Sequence, residues 1–105
     1  MPTSIQLYDE AEKLKDADKV DEAIAKLVEL LQTDPGYALA HSTLAVLYTR
    51  VQKHDLAVQH ALKTCELEPN DPFSFTALSV TCQRAGKIQE AEDAMARART
   101  LQGHQ

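Results

Sequence analysis

Ala23, Ala57 and Ala91 stand 34 residues apart. The same interval relates Ala11, Ala45 and Ser79, and also Leu14, Tyr48 and Cys82. It relates Leu7, His41 and Phe75, and finally Pro35, Pro69 and Gly103. In this frame the 105 residues divide without gaps into 4–37, 38–71 and 72–105, with Met1, Pro2 and Thr3 left over. A fixed period of this length marks a repeat architecture, in which one unit cannot bury its own apolar face and the units must stack. The alternative is an ordinary six-helix bundle with coincidental spacing, and the agreement of several columns across three units argues against it.

Each unit reads as two helices. Apolar residues recur at helical spacing, as in Leu39, Leu44, Leu47 and Val51, then Leu56, Ala57, Ala61, Leu62 and Cys65. No strand alternation occurs. The expected helices are 4–17, 20–33, 38–51, 54–67, 72–85 and 88–101.

The breaks have local causes. Asp34-Pro35-Gly36 and Glu68-Pro69-Asn70-Asp71-Pro72 end one helix and begin another, because proline lacks the amide proton a helix interior needs. Pro72 suits the first turn of a helix with Asp71 as its N-cap. Gly86 supplies a permissive backbone for the turn inside the third unit. Asp18 and Gln52 hold that column in the other units and are weaker choices. Asp21 and Asp55 begin second helices, where a carboxylate offsets the helix dipole. Small residues let two antiparallel helices approach, as Ala11 with Ala23 and Ala45 with Ala57. Leu14, Leu27, Tyr48 and Met95 then fill the space around them.

These units resemble the tetratricopeptide repeat, over about 102 of the 105 residues. The likeness rests on the small pairs Ala11/Ala23, Ala45/Ala57 and Ser79/Ala91, the residues Leu14, Tyr48 and Cys82 between them, and Pro35 and Pro69. The turn Gly86-Lys87-Ile88-Gln89-Glu90-Ala91 and the junction Leu67 to Pro72 also look typical. There are departures. The family often has Trp where Leu7, His41 and Phe75 stand, and Gly where Ala11, Ala45 and Ser79 stand. It often has an aromatic at the positions of Leu27, Ala61 and Met95, and Gly103 replaces the terminal proline. The resemblance implies an all-α, right-handed α-solenoid of three helix–turn–helix repeats and six helices. It implies a concave groove lined by the first helix of each unit, a role in binding peptides or partner proteins, and no catalysis.

The inner columns of such a fold are Ile5, Leu39 and Phe73; Tyr8, Ser42 and Thr76; Glu12, Val46 and Val80; and Asp16, Arg50 and Arg84, with Lys15, Thr49 and Gln83 alongside. The inner face is thus expected to be apolar in its middle and charged at one rim. Either it takes up an apolar or amphipathic partner segment, or these side chains pack between the units as core. Arg50 and Arg84 share one column. They either face an acidic segment together, pair with nearby carboxylates, or solvate their helix ends. The expected binding residues are therefore Ile5, Tyr8, Leu39, Val46, Arg50, Phe73, Val80 and Arg84. The family's two-carboxylate clamp for the acidic tails of heat-shock chaperones would need Lys at Tyr8 and Phe73, Asn at Glu12 and Thr43, and Arg at Ala77. None matches, and Glu12 would repel a carboxylate.

Charge is uneven along the stack. Residues 4–37 hold nine acidic and four basic residues, 38–71 hold four and three, and 72–105 hold three and four. That polarity fits steering of a partner, head-to-tail contact between copies, or a solvated terminal unit in which Glu10 replaces the Leu44 and Leu78 of its column. The seventh, polar-faced helix that the family often adds is not found within these 105 residues. The last helix is either its own polar cap, through Glu92, Asp93, Arg97 and Arg99, or a docking end for another copy. A structural self-assembly unit is therefore the second expected function.

Other classes find little support. Net charge of −5 argues against nucleic acid. The longest apolar runs are too short to span a membrane, and the N-terminus resembles no signal peptide. Two cysteines without a Cys-x-x-C spacing read as buried thiols of a cytoplasmic protein, not as a disulfide or a metal site. There is no glycine-rich phosphate loop, nucleophile elbow or metalloprotease motif. His54 and His60 are six apart, not the four that would share a helix face, His41 occupies a packing column between repeats, and His104 falls in a tail. No enzyme activity, cofactor or metal is expected.

Overall fold

The computed structural model describes residues 1–103, so His104 and the final residue of the third unit lie outside the described residues. It contains six helices among those residues: α1 (Ser4–Asp16), α2 (Val20–Thr33), α3 (Ala38–Arg50), α4 (His54–Leu67), α5 (Pro72–Arg84) and α6 (Ile88–Gly103). Consecutive helices pack antiparallel as α1/α2, α3/α4 and α5/α6, and α2 against α3 and α4 against α5 join the pairs. The stack is elongated, 41 × 28 × 21 Å, as an α-solenoid requires when each unit touches only its neighbours.

The three tight turns share one design. The amides of Lys19, Lys53 and Lys87 each donate to the carbonyls of Leu14, Tyr48 and Cys82 at 2.8 Å. One residue earlier, Asp18, Gln52 and Gly86 donate to Lys15, Thr49 and Gln83. This pair of bonds satisfies the last carbonyls of a helix and needs a left-handed residue between them. Gly86 supplies it at φ +78°, and Asp18 and Gln52 adopt φ +61°.

The helix starts differ. Thr3 caps α1 with a reciprocal bond to Gln6, and Asp71 accepts from the Phe73 amide at 2.9 Å with Pro72 at the first helical position. α2 and α4 have no side-chain cap, and acidic residues in their first turns, Asp21, Glu22 and Asp55, face the helix dipole. α6 runs to Gly103, beyond the expected 101. The first two units stop there because Pro35 and Pro69 follow, and no proline stands in that column of the third.

The core forms two clusters. The first gathers Leu7, Ala11, Ala23, Leu27, Leu30, Ala40, Leu44, Leu47, Tyr48 and Ala57. The second is built from smaller side chains: Ala45, Ala61, Cys65, Leu78, Cys82, Ala91 and Ala94. Both thiols are free and buried. Cys65 Sγ donates to the Ser74 carbonyl at 3.3 Å, and Ser79 Oγ donates to the Ala91 carbonyl at 2.7 Å, tying α5 to α6 at its small-residue contact. At the outer end of the first unit Glu10 is exposed and pairs with Lys26 at 3.1 Å.

Candidate functional site

α3 and α5 share one cleft, and α1 joins α3 through Tyr8 and Thr43. Ile5, Leu39 and Phe73 each stand in the first turn of their helix, and Val46 and Val80 stand two turns further along. All five are open to solvent, at 65, 57, 74, 51 and 45% of their full exposure. Core packing therefore does not account for the stripe. Exposed apolar side chains in such a row are the kind of surface that contacts other molecules.

Two adjoining clefts, each about 230 Å³, lie beside α3 and α5, the second reaching α4 as well. The first is lined by Val46, Thr49, Arg50, Val80, Thr81 and Arg84. The second shares Val46, Val80 and Thr81 and adds Ser42, Ala45, Ala61, Thr64, Ser74 and Ala77. Small residues on α3, α4 and α5 leave this room. Thr49, Thr64 and Thr81 donate their hydroxyls to the carbonyls of Ala45, His60 and Ala77, one turn back in their own helices. Bonding of this kind uses the hydroxyl locally and leaves the methyl group for contact.

Arg50 and Arg84 lie in the last turns of α3 and α5, where a cation complements the helix dipole. Both are exposed, and among the described residues neither guanidinium lies within 4 Å of a carboxylate. The structure brings them to the same cleft as Val46 and Val80.

Tyr8 occupies a different setting. Its hydroxyl lies 2.9 Å from Thr43 Oγ1, which bonds α1 to α3, and its ring packs 5.7 Å from that of Tyr37. Burial pushes its phenol above the ordinary range. Glu12, one turn on, pairs with Lys15 at 2.9 Å, and its other carboxylate oxygen is buried without a partner. The first unit thus makes this end of the face acidic, while Arg50 and Arg84 make the far end basic.

Of the expected site residues, Val46, Arg50, Val80 and Arg84 line one cleft, Ile5, Leu39 and Phe73 are exposed in the first turns of their helices, and Tyr8 is half-buried between α1 and α3. One cluster escaped the sequence reading. His41 is buried and bonds the Pro35 carbonyl at the unit junction at 2.8 Å, and it also meets His60 of its own unit, with the two Nδ1 atoms 2.9 Å apart. Tyr48 stacks on His60 at 5.6 Å. The 34-residue frame placed His41 in a packing column, but His60 sits 19 residues away, a separation no helical spacing connects.

Among solved structures, MamA superposes on 97% of the chain with a TM-score of 0.89 at 20% identity, and the chain spans 60% of that protein's length. The second TPR domain of Spaghetti (RPAP3), bound to the HSP90 peptide SRMEEVD, gives 0.84 at 20% identity over 94% of this chain and 92% of that one. The CopN–Scc3 complex gives 0.89 at 17% identity over 97% of this chain and 60% of that one. No family model matches the sequence, and no curated protein matches it. At these identities the likeness is one of fold.

Proposed function

We propose that this chain, which has the fold of tetratricopeptide-repeat domains, is a protein-interaction module. It holds an apolar or amphipathic segment of a partner along α1, α3 and α5. The observation that carries the proposal is the exposed stripe of Ile5, Leu39, Val46, Phe73 and Val80 leading to two unpaired arginines over one cleft. Arg50 and Arg84 favour acidic residues at one end of the segment. Tyr8 forms part of the floor near the acidic end. We take residues 1–105 as one domain of three units, 4–37, 38–71 and 72–105.

Two neighbours in fold are held in complexes, one with an acidic HSP90 peptide and one within CopN–Scc3. The partner of this chain differs from that peptide in how it is gripped. The five positions a carboxylate clamp would use are Tyr8, Glu12, Thr43, Phe73 and Ala77, which offer no cation.

We assign no catalytic role. Burial pushes the Cys65 thiol up to about 11 and raises that of Cys82, so neither is a nucleophile near neutral pH. No helix among the described residues is long and apolar enough to cross a membrane. Two free thiols favour a reducing compartment, and we place the protein in the cytoplasm.

The test compares wild type with Leu39→Glu/Phe73→Glu as baits in lysate of the source cells, after both give the same helical circular dichroism. A partner kept by wild type and lost by the variant supports the groove. A partner kept equally by both moves the site elsewhere.

A further inference from the structure

In the repeat frame, Tyr48 and His60 of the second unit correspond to Cys82 and Ala94 of the third, and His41 corresponds to Phe75. The second unit packs these three rings together: His41 and His60 centroids are 5.2 Å apart, and Tyr48 lies 5.6 Å from His60 with 23° between the planes. The third unit keeps one ring. Cys82 and Ala94 are buried but short, and beside them opens a cleft of about 470 Å³.

Phe75, Leu78, Cys82 and Ala94 form its floor, and Val58 and Leu62 of α4 form a wall. The Arg97 guanidinium carbon stands 5.8 Å from the centre of the Phe75 ring, at the mouth. Burial raises the Cys82 thiol, so the floor is uncharged. Lys87 and Arg97 face Glu90 and Asp93 around the rim, a balance that favours no net charge in what enters. The cleft is open on one side, and ligand pockets begin at roughly 300 Å³. In the second unit of the same chain, rings occupy the matching positions.

We infer that the cleft between α4, α5 and α6 binds one neutral, planar aromatic group of a small molecule. The group lies beside Phe75, as the ring of His60 lies beside His41 in the second unit. Offset or tilted contact with Phe75 rewards a ring over a saturated group of the same size, and Arg97 adds a cation at the edge. The site lies apart from the α1–α3–α5 stripe and does not depend on what binds there.

The probe is indole, with cyclohexanol as the saturated control, titrated into isotopically labelled protein and followed by amide chemical shifts. Saturable shifts centred on Phe75, Leu78, Cys82 and Ala94 are expected, with cyclohexanol binding several-fold more weakly. Cys82→Tyr/Ala94→His, which restores the residues of the second unit, should lower indole affinity by at least about tenfold. Ala94→Leu fills the same space with less change and should act in the same direction if the double variant does not fold. Absence of saturable shifts, shifts centred on the α1–α3–α5 face, equal binding of cyclohexanol, or undiminished binding in the filled variants would overturn the proposal.

Discussion

His41 Nδ1 lies 2.9 Å from His60 Nδ1, while His41 Nε2 lies 2.8 Å from the Pro35 carbonyl oxygen. A carbonyl only accepts, so neutral His41 carries its proton on Nε2 and uses Nδ1 to accept the Nδ1–H of His60. The chain of bonds links the junction after α2, the start of α3 and the middle of α4. Two adjacent imidazoles cannot both carry charge at this distance without losing the bond between them.

Acidification should therefore destabilise the protein. Burial first, and His41 second, hold the His60 pKa below its ordinary 6.5. Below pH 6.5 the unfolded chain binds more protons than the folded one, so stability is full above that pH and falls as the pH drops beneath it. Urea midpoints measured at pH 7.5 and 5.5 should show the drop. In His60→Gln, which keeps a donor for His41 but does not titrate, the drop should shrink.

The turn residues should respond in opposite directions to glycine and alanine. Gln52 holds φ +61° with a side chain, a conformation costing about 1–2 kcal/mol. Gln52→Gly should raise stability by up to about 1 kcal/mol after the added freedom of the unfolded chain is counted. Gly86→Ala, at φ +78°, should lower it by about 1 kcal/mol, although nothing crowds the new methyl group. Thermal melting of the two variants beside wild type checks both signs.

Burial separates core from contact surface. Leu27 is fully buried in the first core cluster, and Leu27→Ala should cost about 2–5 kcal/mol. Phe73 is larger but mostly exposed, and Phe73→Ala should change stability by no more than about 0.5 kcal/mol. Denaturant titration distinguishes these outcomes. A large loss in Phe73→Ala would return that residue to the core.

Arg50→Ala/Arg84→Ala should weaken capture of the segment that wild type retains, and the gap should narrow as salt is raised. Exposed charges lose most of their reach within a Debye length of about 8 Å at physiological ionic strength. Affinity measured in low and high salt tests this. Equal affinity of variant and wild type in low salt would remove the arginines from the site.

Local chemistry accounts for most of what could be read before any coordinates. Helical spacing, the prolines at 35, 69 and 72, and Asp71 and Gly86 act within a few residues. They fixed the six helices to within one residue at every end except that of α6, which runs two residues further. The period of 34 then put Ile5, Leu39 and Phe73 in one column, and Arg50 and Arg84 in another. It left open whether the apolar stripe was core or surface, because a helical stripe looks the same in both settings. Only the stacking of the units decided that the five side chains stay exposed, that Tyr8 reaches Thr43 across 35 residues, and that His60 meets His41. Those contacts depend on how far and at what angle one helix pair sits on the next. The cleft beside Phe75 is of the same kind: the sequence supplies the short side chains of Cys82 and Ala94, but the space they leave open exists only once α4, α5 and α6 have packed around it.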